Sequence, residues 1–435
     1  MTLVAGFAGE IVQPESPGYE VAATSYGVLG SPALVLRPTT TADVAAAILF
    51  ACSEDLVISV RSGGHSMFGT NDGGVVIDLS GIRDVEVLDD NRVRVGSGAV
   101  WGDVAKSLTP DGLAVSSGDT YSVGVGGLTL GGGVGWMVRQ HGLAIDSLVE
   151  AEVVLASGDV VTTNTETEPD LFWALRGGGG NFGVVTRFTF QAHPLAGVVF
   201  GSIVFDPSAL EQTLRGWRDA MRVAPEELNS TFLAMPAMGP DLPASTSILV
   251  LYAGADERAA DAAIAPLLAL PGVISSELSA KAYADVLDEP HGPEGEVTMV
   301  DNNTFADDFN DELIGKLATA QAGMGAAVLM IRYLRGAFNR VEPDATAVAW
   351  RNAEVLIISA AFLPPNASEA EQQRIHELWA TLAAHTGGKY GNFTVRTGAE
   401  TIGLMYPPAT ARRLKSIKGV YDPDNVFARN QNIVP

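Results

Sequence analysis

The residues of this sequence that are best suited to chemistry lie in one loop, 60–66, with the sequence Val-Arg-Ser-Gly-Gly-His-Ser. The loop follows an apolar run, 56–59, that is typical of a buried strand. Paired glycines after a strand allow a sharp turn and a close approach of the backbone to another group. Several N–H groups in one turn can bind an anion, Arg61 adds charge, and His65 is placed beside whatever the loop binds. The loop alone is also consistent with a plain glycine turn that carries an exposed histidine.

Two further stretches, 123–135 and 176–183, are rich in glycine. Glycine weakens helices and strands, and close approach of main chain to a large, flat, polar ligand is one reason to keep it. Residues 178–183 match the pattern GxGxxG, but that dinucleotide-binding pattern follows a strand and opens a helix. Here a predicted helix, 170–175, precedes the glycines and a β-rich run, 184–190, follows them. The sequence therefore does not predict a Rossmann fold.

These motifs, together with the C-terminal stretch, resemble the berberine bridge enzyme-like flavoproteins of the vanillyl-alcohol oxidase superfamily. The matching pieces are 61–66, 124–135, 181–185 and a tail at 421–427 and 430–433. They span nearly the whole chain in the order found in the family. The resemblance implies an FAD cofactor that His65 carries covalently through the flavin 8α-methyl group.

The resemblance also assigns the cofactor-binding positions. They are Arg61, Ser62, Gly63, Gly64, His65, Ser66, Thr120, Val123, Gly124, Gly127, Gly133, Gly183, Val185, Asn430 and Asn432. Many relatives tie the flavin a second time, through a cysteine at the position of Thr120. Threonine cannot form that thioether, so we expect a single covalent link, as in the 6-hydroxy-D-nicotine oxidase type. Val123 falls where the family controls oxygen access to the flavin, although ordinary packing also explains a valine.

The substrate side is carried by Tyr390-Gly391-Asn392-Phe393, which resembles the YxN[YF] motif of the family. In relatives that oxidise alcohols, the second aromatic residue of this motif serves as a tyrosinate base. Phe393 stands there and has no proton to exchange. The base is then Tyr390 or Tyr121, with Asn392 beside it, or the substrate needs no strong base. A tyrosine base needs a nearby cation to lower its pKa, and Arg332 and Arg335 are the candidates.

Composition excludes several classes of protein. The chain has 435 residues and a formal net charge of -24, which disfavours nucleic acid and anionic membranes as partners. The single cysteine, Cys52, precludes an intramolecular disulfide and lies in a predicted helix, where a buried thiol is expected. The histidines lack HxxxH or HExxH spacing, so no metal site is predicted. With no readable signal peptide, we expect a cytoplasmic protein. The oligomeric state is open.

The elements that must position these residues suggest an α+β fold in three parts. By the family resemblance, we expect residues 1–195 to form a two-part FAD-binding domain of the PCMH type. Residues 196–388 form a substrate domain in which an antiparallel sheet is covered by helices. Residues 389–435 return to the first domain. The loop 289–295 is a candidate lid over the pocket.

These observations lead to a main functional hypothesis with rivals. The protein is an FAD-dependent oxidase that takes hydride from a C–H bond next to an amine or hydroxyl of a small molecule. It passes the electrons to molecular oxygen and produces hydrogen peroxide. The alternatives are a flavin dehydrogenase with another electron acceptor, and a non-redox cyclase, tailoring or ligand-binding flavoprotein.

Overall fold

The structure is a computed structural model that describes residues 4–238, 243–289 and 298–435. The candidate lid lies, apart from Glu289, outside these residues. Within them, the chain combines helices with mainly antiparallel sheets. The predicted α+β class is therefore confirmed. No helix in the described part of the chain is both long and apolar enough to cross a bilayer.

The first sheet positions the loop that carries His65. Its strands lie in the order Glu10–Val12, Leu34–Arg37, Val75–Asp78 and Ile58–Arg61. The helix Thr41–Ser53 joins its second and fourth strands, and it begins with a capping box in which Thr40 and Asp43 bond each other's backbone N–H groups. The sequence Thr41-Ala42-Asp43 predicts a helix cap at Thr41, but the cap is Thr40 and Thr41 is the first residue of the helix. Cys52, on this helix, is exposed and not buried as predicted.

The second sheet packs against the glycine-rich loops. Its strands lie in the order Val160–Thr163, Leu148–Val154, Val184–Gln191, Arg92–Gly96 and Val85–Val87. A turn signal at 157–159 between two β-rich runs predicts a hairpin over 148–163, and the antiparallel pairing of its two strands confirms it. The helices packed around this core are Trp101–Leu108, Val125–Gly131 and Pro169–Leu175. Shorter elements are Tyr19–Ala23, Thr24–Ser25, Val28–Leu29, Leu113–Ala114, Val138–His141 and His193–Pro194.

The third sheet is antiparallel throughout. Its strands lie in the order Val273–Lys281, Val198–Phe205, Ser245–Ala253, Leu228–Met235, Ala327–Tyr333, Val355–Leu363 and Thr298–Ala306. Its helices are Leu210–Val223, Glu257–Leu268, Asp311–Met324, Ala337–Arg340 and Glu369–Ala380. Strand-like runs in the sequence predict five of these seven strands, at 198–205, 230–235, 246–253, 326–334 and 354–362. The first and last strands were not predicted, because the outer strand 273–281 is largely solvent-exposed and the strand 298–306 carries an Asp-Asn-Asn run.

The C-terminal segment contacts the glycine-rich loops of the first half. It consists of the helices Ala399–Met405 and Pro408–Tyr421 and a tail without regular structure. Lys418 and Asp422 form a fully buried ion pair at 2.6 Å, and Lys418 Nζ also donates to the carbonyl of Asn181 at 2.7 Å. Removing either charge would leave the other buried and unpaired, so this pair fixes the tail. The exact boundaries at 195 and 388 remain a prediction.

Candidate functional site

The His65 loop and the glycine run touch through bare backbone. A Cβ added at Gly63 would lie 2.3 Å from the Gly124 nitrogen, and one added at Gly124 would lie 2.1 Å from the Gly63 nitrogen. Any side chain at either position would force the two loops apart. Ser62 fastens the contact, because its hydroxyl donates to the carbonyl of Ser97 at 2.5 Å.

The turn is held on both sides of His65. Gly64 has a left-handed φ of 77°, and its carbonyl accepts from the Tyr26 N–H at 2.9 Å. Ser66 caps the short turn Met67–Gly69 with its hydroxyl oxygen, and its carbonyl accepts from the Ser25 hydroxyl at 2.7 Å. The loop is therefore a fixed support for the imidazole and not a loose surface turn.

Arg61 does not supply the free charge that the sequence predicted. Its guanidinium is buried, donates to Asp78 at 2.8 Å and donates to the carbonyl of Thr24 at 3.0 Å. Burial alone would raise the pKa of Asp78, but Arg61 and Arg37 outweigh it and lower that pKa. The positive charge of Arg61 is thus balanced within the protein, and this residue braces the loop.

His65 is bonded through one ring nitrogen. Nε2 lies 2.7 Å from the hydroxyl of Ser122, which in turn donates to a carboxylate oxygen of Glu289 at 2.6 Å. No described residue bonds Nδ1. Burial lowers the pKa of His65 and the Glu289 charge opposes this, so the ring is neutral near pH 7. Sequence reasoning missed Ser122 and Glu289, which are separated by 167 residues, because no local pattern links them.

Part of the glycine run is helical, which glycine propensity did not predict. The helix Val125–Gly131 starts where the Val125 N–H donates to the carbonyl of Ala99 at 2.9 Å. On its open side, a Cβ at Gly127 would meet no described atom within 4 Å. At the far end Gly133 has a φ of 82°, and an added Cβ would lie 2.5 Å from the Ala144 side chain. Glycine is thus required at 133, while 127 faces free space.

The loop 177–183 lies against the same run. The N–H groups of Gly177 and Gly179 both donate to the carbonyl of Leu130, at 3.1 and 3.0 Å. Gly183 approaches the second sheet so closely that a Cβ would lie 2.6 Å from Val153. Val185 is buried in the core beneath the loop. Val185 therefore supports the loop from inside, and a direct role in cofactor binding stays a prediction.

The tail completes this region. The Asn430 amide nitrogen donates to the carbonyl of Gly180 at 3.0 Å, and the Asn181 side chain accepts from the Ile433 N–H at 3.0 Å. The side-chain oxygens of Asn430 and Asn432 are buried without a hydrogen-bond partner among the described residues. Buried polar atoms are rarely left unpaired in a native protein, so both oxygens are available to accept a hydrogen bond from a bound ligand or water.

These features fit a bound FAD. Two orphaned amide oxygens and the open backbone at Gly127 and Gly180 belong to segments that contact one another, and they combine polar acceptors with little side-chain bulk. A large, flat, polar ligand needs both properties, since main chain must approach its rings and heteroatoms closely. His65 supplies a neutral nucleophile on the loop that contacts Gly124. Clusters of three or more metal-ligating side chains do not occur among the described residues.

Thr120 and Val123 lie on the segment that leads into the glycine run. Thr120 forms an isolated parallel bridge with Asp288, and the neighbouring Tyr121 N–H donates to the Asp288 carbonyl at 3.0 Å. The Thr120 hydroxyl has only a weak contact, 3.5 Å from Asp119. Val123 is half-buried against the core. Their roles at the flavin remain predictions.

Tyr390 and Asn392 anchor the glycine run. The Tyr390 hydroxyl accepts from the N–H groups of Gly133 at 2.7 Å and Val134 at 3.3 Å, and from the Asn392 amide at 3.2 Å. Burial raises the pKa of Tyr390, although these donors oppose the rise. A phenol that keeps its proton near pH 7 is a poor base, so the geometry argues against the predicted catalytic role and favours an anchoring one.

Tyr121, the other candidate base, lies elsewhere. Its hydroxyl bonds Asp103 and accepts from Lys106 at 3.1 Å, and its ring packs over Gly102 of the helix Trp101–Leu108. The structure therefore does not bring Tyr121 together with Tyr390. A base role for Tyr121 has no support in this geometry.

Of the two candidate cations, Arg332 faces the site. It is buried and ion-paired with Asp119, next to Thr120, and its Nε has no partner among the described residues. Its guanidinium lies 6.0 Å from the centre of the Phe393 ring. Arg335 instead is half exposed and donates to the carbonyl of Asp307 at 3.1 Å. The sequence does not decide which of the two arginines faces the site, and in the structure it is Arg332 whose side chain points inward from the strand.

Comparison with known proteins identifies the family. A family model described as FAD binding domain matches residues 32–164, and one described as berberine and berberine like matches 409–434. An (R)-6-hydroxynicotine oxidase of Paenarthrobacter nicotinovorans is 32% identical, with 98% of this chain and 97% of that protein covered. An uncharacterised FAD-linked oxidoreductase of Bacillus subtilis is 29% identical over 98% of this chain and 97% of its own length.

Solved structures give the same result. The crystal structure of 6-hydroxy-D-nicotine oxidase from Arthrobacter nicotinovorans matches with a TM-score of 0.87 and 29% identity, covering 100% of both chains. A xylooligosaccharide oxidase from Myceliophthora thermophila matches with a TM-score of 0.84 and 25% identity, over 98% of this chain and 97% of that one. The resemblance seen in the sequence is thereby confirmed. The chain is an FAD-linked oxidoreductase and belongs to the berberine bridge enzyme-like family.

Proposed function

We propose that this protein is an oxidase whose FAD is linked to the chain by a single covalent bond, through His65. Bound FAD accepts a hydride from the substrate and passes the electrons to molecular oxygen, which yields hydrogen peroxide. The substrate is a small molecule that carries a C–H bond next to an amine or hydroxyl. The full-length similarity to an (R)-6-hydroxynicotine oxidase favours a small amine.

The observation that carries this proposal is the setting of His65. A neutral imidazole with one nitrogen that no described residue bonds lies on a loop packed against the bare backbone of Gly124, and two orphaned amide oxygens lie on the tail that contacts the same glycine-rich region. A covalent flavin needs such a nucleophile at the edge of its ring system. The single link follows from Thr120, which has no thiol at the position where many relatives have a cysteine.

The chain's own residues then bind and orient the reactants. Gly63 and Gly124 let the two loops meet, and Asn430 and Asn432 present acceptors to the cofactor. Arg332, held by Asp119, keeps one N–H group available to an acceptor on the substrate or cofactor. Because no described phenol is placed as a base, a neutral amine, whose oxidation needs no strong base, is the substrate class that this site suits best.

The test uses the purified protein. We expect flavin that stays attached after acid denaturation, and loss of that attachment in His65→Ala. Anaerobic mixing with (R)-6-hydroxynicotine, other amines, small sugars and phenolic alcohols should bleach the flavin band for at least one amine. Under air the same substrate should release hydrogen peroxide. Bleaching without peroxide would indicate a dehydrogenase, and binding without bleaching would indicate a non-redox protein.

A further inference from the structure

The hydrogen-bond chain at His65 has a defined direction. A carboxylate in its ionised form only accepts hydrogen bonds, and a serine hydroxyl has one proton to give. The Ser122 proton goes to Glu289 at 2.6 Å, so the Ser122 oxygen must accept from His65 Nε2 at 2.7 Å. His65 therefore carries its proton on Nε2. The lone pair on Nδ1 is free, and no described residue bonds it.

We propose that Ser122 and Glu289 are positioning residues for the attachment of FAD to His65: they hold the imidazole as the Nε2–H tautomer and accept its proton as Nδ1 forms the new bond. This inference rests on the proposed covalent link. It assigns a role to two residues to which the family resemblance gave none. Without the hydrogen bonds of Ser122 and Glu289, no described residue would fix His65 in the tautomer that leaves Nδ1 nucleophilic.

The step balances as follows. A bond forms between Nδ1 and the 8α-carbon, and one C–H bond of the 8α-methyl group breaks, with its proton released to solvent. The electron pair of that C–H bond reduces the flavin ring by two electrons. The Nε2 proton passes through Ser122 to Glu289, because an imidazole alkylated at one nitrogen is otherwise cationic. Molecular oxygen then takes up the two electrons and two protons as hydrogen peroxide, and the linked flavin is oxidised again.

Backbone pairing holds the far end of this chain in place. The Tyr121 N–H donates to the Asp288 carbonyl at 3.0 Å, and the Asp288 N–H donates to the Asp119 carbonyl at 3.3 Å. The stretch that carries Asp288 and Glu289 is therefore attached to the stretch that carries Ser122. Burial lowers the pKa of His65, which keeps the ring neutral and nucleophilic near pH 7.

The expected change in the rate of flavin attachment depends on how exposed Glu289 is. A positioned acid–base group typically contributes about a hundredfold or more. Glu289 is exposed, so water and salt screen its charge. We therefore expect Ser122→Ala and Glu289→Gln to slow attachment by about tenfold each, with no additive loss in the double variant, because both act on one chain.

The experiment follows covalent attachment and not turnover. Full-length protein is produced in riboflavin-limited cells and incubated with FAD, and acid-stable flavin fluorescence on denaturing gels is measured over time. Non-covalent FAD binding is measured in parallel by the change in the flavin absorption band. Asp285→Asn is the matched control, because it removes an exposed carboxylate from the same segment without touching Ser122.

The outcomes separate this inference from the proposed function. If wild-type protein never acquires acid-stable flavin, the covalent link itself is wrong. If wild type does and His65→Ala does not, but Ser122→Ala and Glu289→Gln attach flavin at the wild-type rate, only the positioning role is overturned. Slow attachment with normal FAD binding, and a normal rate in Asp285→Asn, supports it. Should Ser122→Ala fail to fold, Glu289→Gln at the exposed end decides the matter alone.

Discussion

Replacing Tyr390 with phenylalanine separates an anchor from a catalytic base. The Tyr390 hydroxyl accepts from two main-chain N–H groups, of Gly133 and Val134, in a buried apolar cluster. Phenylalanine keeps the ring and removes the acceptor. Each buried donor left unpaired costs about 1–3 kcal/mol, and the longer Val134 bond should cost least, so we expect a loss of about 2–4 kcal/mol. For a domain of about 150–250 residues this lowers the thermal midpoint by roughly 4–16 °C.

The same variant should reduce its flavin at nearly the normal rate. Burial raises the pKa of Tyr390, so the phenol is neutral from pH 5 to 9 and cannot take a proton from the substrate. Stopped-flow mixing of the variant with substrate, without oxygen, measures this step directly. We expect a change of less than about tenfold, well below the hundredfold that loss of a general base typically causes.

Tyr406→Phe is the matched control for this prediction. Tyr406 is buried in the same C-terminal segment, but its hydroxyl makes a single bond, to the carbonyl of Gly177 at 2.9 Å. Leaving one carbonyl without its donor costs less than leaving two N–H groups without their acceptor, so the midpoint should fall less than in Tyr390→Phe. A Tyr390→Phe protein with wild-type stability and a hundredfold slower flavin reduction would refute the anchor and restore the base.

Three further predictions test other parts of the structure. Lys418→Met should destabilise the protein by about 3–5 kcal/mol in denaturant unfolding, because Asp422 is left buried and unpaired, whereas Lys415→Met on the exposed side of the same helix should change little. His65→Ala/Thr120→Cys should regain acid-stable flavin, since the thiol would occupy the position of the second tether; a double variant that sheds all its flavin in acid would contradict the alignment. The stacked rings of His141 and His193 lie 3.8 Å apart, and burial and His193 lower the pKa of His141 to about 4. Because the unfolded chain then binds the proton more readily, stability should fall as the pH drops from about 6.5 towards 4, and His141→Gln should flatten this part of the thermal pH profile.

The fold was largely predictable because burial leaves a periodic trace in sequence. The strand Val198–Phe205 and the helix Trp101–Leu108 fall where apolar spacing predicted them. The outer strand Val273–Lys281 gave no such signal, because most of its side chains face water and its sequence reads as polar. The helix Val125–Gly131 was missed for the opposite reason: tertiary contacts stabilise a helix that its own glycines disfavour.

The site was predictable only as far as it depends on local sequence. The glycines at 63 and 124 signal close backbone contact on their own, and the contact is present. Charge pairing gives no such local signal, so Arg61 was expected to face an anion although Asp78 neutralises it. The same limit applies to Arg332, whose partner Asp119 lies 213 residues away. Motifs therefore locate the loops, while the partners that set charge and proton position come from the fold.

The glycine contacts and the polar side-chain partners of the site differ in how they tolerate substitution. The contact between the loops at Gly63 and Gly124 needs glycine at both positions, because any side chain there would force the loops apart. Glu289, Arg332 and Asp119 instead contact the site through side chains that come from other segments of the chain. Replacing the exposed Glu289 should therefore slow the proposed flavin attachment without loss of FAD binding, whereas Arg332 is buried and its ion pair with Asp119 limits substitution there.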